Sequence, residues 1–515
     1  MKKALSLLLA LMMVMSLAAC GSSDNPGTDN PGSNAPDNPS STPEGNGGEG
    51  VIDFDEDPYE VSIQFVGLFE ANNNIANVEA ALNEITKKKI NCTVDIVPVF
   101  IGDLPTTTSL GVAGDEKLDI VTVGLTSGIT SMVSDELLLP LDELLAQRGQ
   151  AALEVTKNVA EAQKIDGKTY AVSGYPFAAV AGGFVYNKTM ADQYGIDMHD
   201  GMTMEELTAA AAKLKENGIY FTAFGNSSQC NYKFLKGGDI FGATAEYGGI
   251  LDPANSTEIV NLYDTQEMRD YFKVIKNWKD QGYLPDGQLT DTTTIQEYFN
   301  QGRVFGTSTA YTVNQLASWQ SANFESGIVS TSDALISTGS VTEFMLGIAS
   351  NCERPDKAMD LINLIYSDPQ VANLIQYGIE GTDYVVMDGT ENVITYEGTS
   401  NADHNSYYAP FVHFGSPLNL KIVAPLTDSY YDDVQKFENE AHKSTAFGYT
   451  FDSSSFSAET GAISSVLQEK LPMLNAGEVA DVDAAVDDLV AALESAGIND
   501  IIAANQEQLN TYLGK

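Results

Sequence analysis

The chain has 515 residues, 43% of them hydrophobic, and its 71 acidic against 27 basic side chains give a net charge of -44. That charge repels nucleic acid and anionic membrane surfaces, and a sequence whose arginines are Arg148, Arg269, Arg303 and Arg354 is poorly equipped to grip phosphate or several carboxylates with guanidinium forks. A neutral ligand fits this composition better, and the length provides for two or more domains.

At the N-terminus Lys2 and Lys3 precede an apolar run from Ala4 to Leu17. The run is shorter than the about 20 apolar residues of a membrane-spanning helix. Basic, apolar and small residues in that order mark 1–20 as a secretory signal. Leu17, Ala18, Ala19 and Cys20 resemble the bacterial lipobox, whose cysteine is acylated. The resemblance implies lipidation (palmitate chemistry) at Cys20 and anchoring on the extracellular face of a Gram-positive type of cell membrane. Acyl chains contribute about 0.8 kcal/mol per buried methylene, so several of them hold a protein on a surface. Residues 21–56, rich in Gly, Ser, Asn, Asp and Pro, are predicted to be a disordered linker. Fully stretched, its first thirty or so residues reach on the order of 100 Å. The acidic "DFDEDPYE" near its end lacks the glycine turn and distal glutamate of a calcium loop and reads as solvated linker.

Folded sequence is expected over 57–515. "VSIQFVG" reads as a strand, followed by a helix with Ile75, Val78, Leu82 and Ile85 on one face, and then by the strands "CTVDIVPV" and "KLDIVTVG". This order argues for a parallel α/β sheet. Further along, Thr203 and Glu206 form a capping-box signal with a glycine stop at Gly218, and Asp264, Glu267 and Gly282 repeat the design. In that second helix Trp278 shares a face with Tyr271 and Ile275, which marks it as core. Pro355 and Pro369 stand where first helical turns begin. Cys92, Cys230 and Cys352 are far apart and without C-x-x-C spacing, so single buried thiols are expected. His199, His404, His413 and His442 show no metal spacing, and neither metal nor cofactor is implied.

Four ordered blocks carry a resemblance: "LDIVTVGLTSGITSMVSDELLLPLDELL", "KIDGKTYAVSGYPFAAVAGGFVYNKTM", "YFNQGRVFGTSTAYTVNQLASW" and the stretch from "FMLGIASNCERPDKAMDLINLIYSDPQ" onward. Together with the ending "AGINDIIAANQEQLNTYL", they resemble the family 1 extracellular solute-binding proteins of bacterial ABC importers, in their lipoprotein oligosaccharide-binding branch. The resemblance implies an α/β, two-lobed periplasmic-binding-protein-like (Venus-flytrap) fold. Hinge crossings are placed near Ala178 to Gly183 and near Ser337 to Leu346. Lobe one is then about 57–180 with 346–395, and lobe two about 181–337 with 396–515. The implied function is capture of a sugar or oligosaccharide between the lobes for ABC permease subunits, whose ATPase is a separate chain.

A sugar site needs aromatic rings for the C–H faces and carboxylates or amides for the hydroxyls, on loops that follow strands at the cleft. By position in that frame the candidates are Glu70, Thr126, Ser127, Tyr175, Tyr232, Tyr311, Trp319, Glu343 and Phe411. No catalytic residue is implied. G-x-S-x-G, H-E-x-x-H and P-loop motifs are absent from the sequence, and paired carboxylates in so acidic a chain say nothing of glycoside hydrolysis. The competing readings are a tethered glycan-active enzyme and a surface sensor or adhesin for a non-sugar solute.

Overall fold

The computed structural model describes residues 51–67, 73–114, 116–174, 178–224, 230–409 and 414–515. The signal, Cys20 and most of the expected linker lie outside them.

The first sheet starts with β1 (Tyr59–Gly67), followed by α1 (Ile75–Ile90), β2 (Cys92–Phe100) and β3 (Ile120–Val123). β1 pairs in parallel with β2 over its whole length, from Tyr59 opposite Cys92 to Gly67 opposite Phe100, and with β3 on its other side. α1 covers the sheet with Val78, Leu82, Thr86 and Ile90, a buried stripe at every fourth residue. Its last turn stops at Asn91, in the left-handed conformation (φ 49°).

The Asn91 amide corrects one expectation. It donates to the carbonyls of Asp53 and Glu56 at 2.8 and 2.9 Å. The Glu56 carboxylate meets the ammonium of Lys357 at 2.6 Å and the guanidinium of Arg354 at 3.1 Å. The end of the acidic stretch is therefore bound to the first sheet's body rather than solvated linker. Its local composition could not reveal cations that lie 300 residues away.

After β4 (Ala171–Ser173) at the edge of the first sheet, the chain passes to β5 (Ala179–Asn187), central in a second sheet. Two amphipathic helices cover this sheet, α2 (Met204–Lys215) and α3 (Gln266–Asp280). α2 carries the expected capping box between Thr203 and Glu206. α3 is capped by Thr265, whose side chain accepts from the Met268 amide. The expected Asp264 instead lies in the preceding turn. Trp278 is fully buried, edge-on to Phe221 at 5.0 Å, with its indole N–H donating to Thr208 Oγ1 at 2.7 Å.

β6 (Gly306–Tyr311), β7 (Ser326–Ser330) and β8 (Leu335–Ile336) all run antiparallel to β5. A short helix α4 (Thr338–Thr342) then returns the chain to the first sheet, where β9 (Met345–Ile348) lies between β3 and β4. Helices α5 (Pro355–Ser367) and α6 (Pro369–Tyr377) both start on their prolines, as expected. The three cysteines are free and buried, also as expected.

The chain stays with the first sheet longer than the expected limit at 395. Tyr407 and Phe414 have ring centroids 4.8 and 6.0 Å from that of Phe65 in β1, and β10 (Val393–Thr395) pairs with β11 (Ile422–Val423). Only α7 (Tyr430–Glu440) and β12 (His442–Lys443), which pairs with β8, carry it back to the second sheet. Three C-terminal helices, α8 (Ser457–Asn475), α9 (Val482–Ser495) and α10 (Ile498–Tyr512), complete that lobe's core through Leu467, Leu489 and Leu509. The first crossing is also shifted, since Ala179 to Gly183 already belong to β5. It lies between Ser173 and Ala179.

The Glu56–Lys357 pair gives a stability prediction. Lys357 is 2% exposed, and removing one partner of a buried pair leaves an uncompensated charge. Glu56→Ala should destabilise the protein by about 3 kcal/mol, read from the shift of a urea unfolding midpoint. An effect below about 0.5 kcal/mol, typical of exposed pairs, would show that the N-terminal segment is not tied down.

Candidate functional site: a cleft where the crossings meet

All three crossings described here border one cavity of about 670 Å³. Ser173, Gly174 and Ala178 come from the first, Ser340, Val341 and Glu343 from the second, and Tyr430, Phe437 and Glu438 from α7 in the third. The crossings are bonded to one another. Ser173 Oγ donates to the Val341 carbonyl at 3.0 Å, and the Ala179 amide donates to Glu438 Oε1 at 2.6 Å. The second lobe adds Thr312, Val313 and Asn314, directly after β6. The first lobe adds Tyr377, Tyr396, His404, Tyr408 and Lys421.

The first-lobe wall is a packed aromatic cluster. The His404 ring stacks on Tyr408 with centroids 4.0 Å apart, and Tyr396 stands edge-on to both at 5.0 and 5.8 Å. His404 has φ 56°, a conformation uncommon for a residue with a side chain. Its Nδ1 is buried without a hydrogen-bond partner among the described residues, and burial lowers its pKa, favouring the neutral ring. The hydroxyls of Tyr377 and Tyr431 donate to the carbonyls of Lys421 and Leu420 at 2.9 and 2.6 Å, which fixes two more rings of the wall.

Two carboxyls complete the lining. Glu343 follows α4 and reaches the water of the cleft, while the surrounding protein raises its pKa by desolvation against a partial offset from Lys233. Glu438 is buried, and desolvation pushes its pKa up to about 7 although the Ala179 and Ala178 amides favour the charged form. Among the described residues no group of three or more His, Cys, Asp or Glu side chains could hold a metal ion.

The expected site residues separate into distinct places. Glu343 lines the cleft. Tyr311 ends β6 one residue before the lining begins, half buried, with its ring 5.6 Å from that of Phe437. Gly183 makes room for it, because a Cβ there would come within 2.8 Å of the Tyr311 Cβ. Thr126 and Ser127 border a separate recess of about 40 Å³ with Thr108 and Ser131. Their loop approaches the second crossing at Gly124 (φ 102°), where any Cβ would collide with the Thr342 carbonyl.

Tyr232 and Trp319 are interior residues of the second lobe. Tyr232 is edge-on to Tyr271 at 5.6 Å, and Trp319 edge-on to Phe299 at 5.5 Å. Each side chain is consumed in packing, so neither faces the cavity. Glu70, Tyr175 and Phe411 lie outside the described residues. The expectation had no place for His404, Tyr396, Tyr408, Tyr430, Tyr431 or Glu438. A signal for some of them is present: "SYY" occurs twice, at 406–408 and 429–431, and the first supplies one cleft ring, Tyr408, and the second two.

Two lobes joined by repeated crossings, with a polar and aromatic cleft at the junction, define the two-lobed class of ligand-capturing proteins. Comparison with known proteins agrees. Residues 80–382 match the family model described as bacterial extracellular solute-binding protein, and 445–514 match a domain of unknown function, DUF3502. The chain belongs to the bacterial extracellular solute-binding protein family. It is similar to a carbohydrate ABC transporter substrate-binding protein of Streptococcus pneumoniae, at 23% identity over 453 residues that cover 86% of this chain and 89% of the relative. Among solved structures it resembles an N-glycan transport solute-binding protein from Streptococcus pneumoniae, with TM-score 0.76, 22% identity, and coverage of 89% of this chain and 99% of that one. A structure of that protein in complex with Man5GlcNAc aligns with TM-score 0.64 and 22% identity, over 88% of this chain and 99% of that one.

Proposed function

We propose that this protein is the membrane-anchored, extracellular capture component of an ABC importer, and that its solute is a neutral oligosaccharide. The observation that carries the reading is the aromatic wall of the cleft. Sugars present C–H faces to rings and hydroxyls to polar groups, and Tyr396, Tyr408 and Tyr430 line one space of about 670 Å³ together with Glu343 and Asn314. The volume suits an organic ligand of several hundred daltons. The carbohydrate relatives support the same class, and the shortage of arginine argues against an anionic one.

In this reading Tyr408 and Tyr396 cover sugar faces and Glu343 accepts hydroxyls. Tyr311 acts by setting Phe437 in the cleft wall. Thr126 and Ser127, on the loop against the second crossing, adjust that crossing, while Glu70, Tyr175 and Phe411 keep their assigned contact roles. Permease subunits and a separate ATPase take the solute onward. None of the described helices is long and apolar enough to cross a membrane, and attachment is assigned to the lipidated Cys20.

Calorimetric titration with Man5GlcNAc, maltopentaose, a neutral pentapeptide and polygalacturonate tests the ligand class. Binding is expected to a neutral glycan. Binding to the peptide or polyanion alone would overturn the class. Losing a stacking ring forfeits about 1–3 kcal/mol, so Tyr408→Ala should weaken glycan binding roughly 5- to 150-fold. An unchanged affinity would remove this wall from the binding face.

Anchoring is tested separately. Cys20→Ser should abolish labelling by radioactive palmitate and shift the protein out of the membrane fraction. Continued labelling of the variant would refute the lipid assignment.

A further inference from the structure

We propose that Glu438 couples ligand to hinge, one carboxylate oxygen anchoring the first crossing and the other receiving a hydroxyl of the bound sugar. The inference rests on the cleft being the solute site.

α7 touches both lobes. Tyr430 and Val434 in its first half pack on Val393 and Ile422 of the first lobe, while Phe437 in its last turns and Ala441 just beyond it pack on Ala178, Ala179, Ile336 and Val341. Glu438 stands in that second half, on the cavity wall and 7% exposed. Its Oε1 accepts the Ala179 amide at 2.6 Å, where the first crossing enters β5. Its Oε2 is buried and has no hydrogen-bond partner among the described residues. A buried carboxylate oxygen without a donor is unfavourable. A sugar entering this cavity brings hydroxyls that can donate to such an oxygen.

Ionisable groups on the elements packed around α7 include Glu161, Tyr311, Glu343, Lys421 and Lys443, with Tyr430, Tyr431, Asp432, Asp433, Lys436 and Glu440 on the helix itself. The raised pKa of Glu438 nevertheless comes from burial, opposed by the two backbone amides. A hydroxyl donated to Oε2 would favour the ionised form and lower that pKa in the complex. Affinity is then full above about pH 7 and falls as the pH drops below it, with a proton released on binding near neutrality. A polar residue that merely braced the hinge would show no such proton exchange.

The test uses the full chain and Man5GlcNAc. Titration at pH 7 in two buffers of different ionisation enthalpy should show proton release in the wild type and none in Glu438→Gln. Wild-type affinity should weaken about tenfold between pH 8 and pH 5.5, and that of Glu438→Gln should stay level. Binding without proton release, or equal release in the variant, overturns the ligand half of the proposal. Amide exchange at Ala179 in the free protein decides the other half. Protection should survive in Glu438→Gln and drop in Glu438→Ala, and equal protection in all three overturns the anchor. Should Man5GlcNAc fail to bind at any pH, the same titrations are made with maltopentaose: binding without proton release overturns the ligand half, and failure of both glycans to bind overturns the proposed function on which that half rests.

Discussion

Hydrogen bonds between the crossings are the constraint on which the cleft depends. The two sheets are separate layers with separate cores, centred on Phe65 and on Phe184, Phe221 and Trp278. What sets one against the other is a small seam where Ser173 bonds to Val341, Glu438 to Ala179 and Gly448 to Thr338. Seams of this kind let packed bodies move about a few backbone positions while each body stays rigid. The cavity lies at the seam, so whatever fills it contacts the elements that set the angle between the lobes.

This arrangement explains why the lining is drawn from so many parts of the chain. A ligand that touches both lobes favours the arrangement in which both sets of contacts are made, and its differential affinity supplies the shift. The first lobe offers ring faces with hydroxyls already committed to backbone carbonyls, as in Tyr377 and Tyr431. The second lobe and the crossings offer amide and carboxyl groups.

Local features of the fold were legible in the sequence because their causes are local. The stripe on α1, the capping box at Thr203 and the two helix-starting prolines depend on residues within a few positions. The second crossing, expected near 337–346 from the resemblance, is where α4 leads from β8 to β9. The exit from the first lobe was not legible, because it depends on Tyr407 and Phe414 meeting Phe65 across more than 300 residues. Glu56 is a similar case: acidic neighbours argue for solvation until Lys357 and Arg354 are brought to it. Glu343, expected from its place beside a crossing, lines the cavity. Tyr232 and Trp319 were misplaced because aromatic residues in polar surroundings look alike whether they face a cleft or close a core. His404 and Glu438 come from segments without a motif for ligand contact, and the fold alone brings them to one cavity.

The central claim is that solute is captured between the lobes. Small-angle X-ray scattering of the full chain, free and with saturating Man5GlcNAc, measures it most directly, with calorimetry on the same sample to establish occupancy. The account predicts a smaller radius of gyration and a shorter maximum dimension in the complex. An unchanged scattering profile at full occupancy would contradict it.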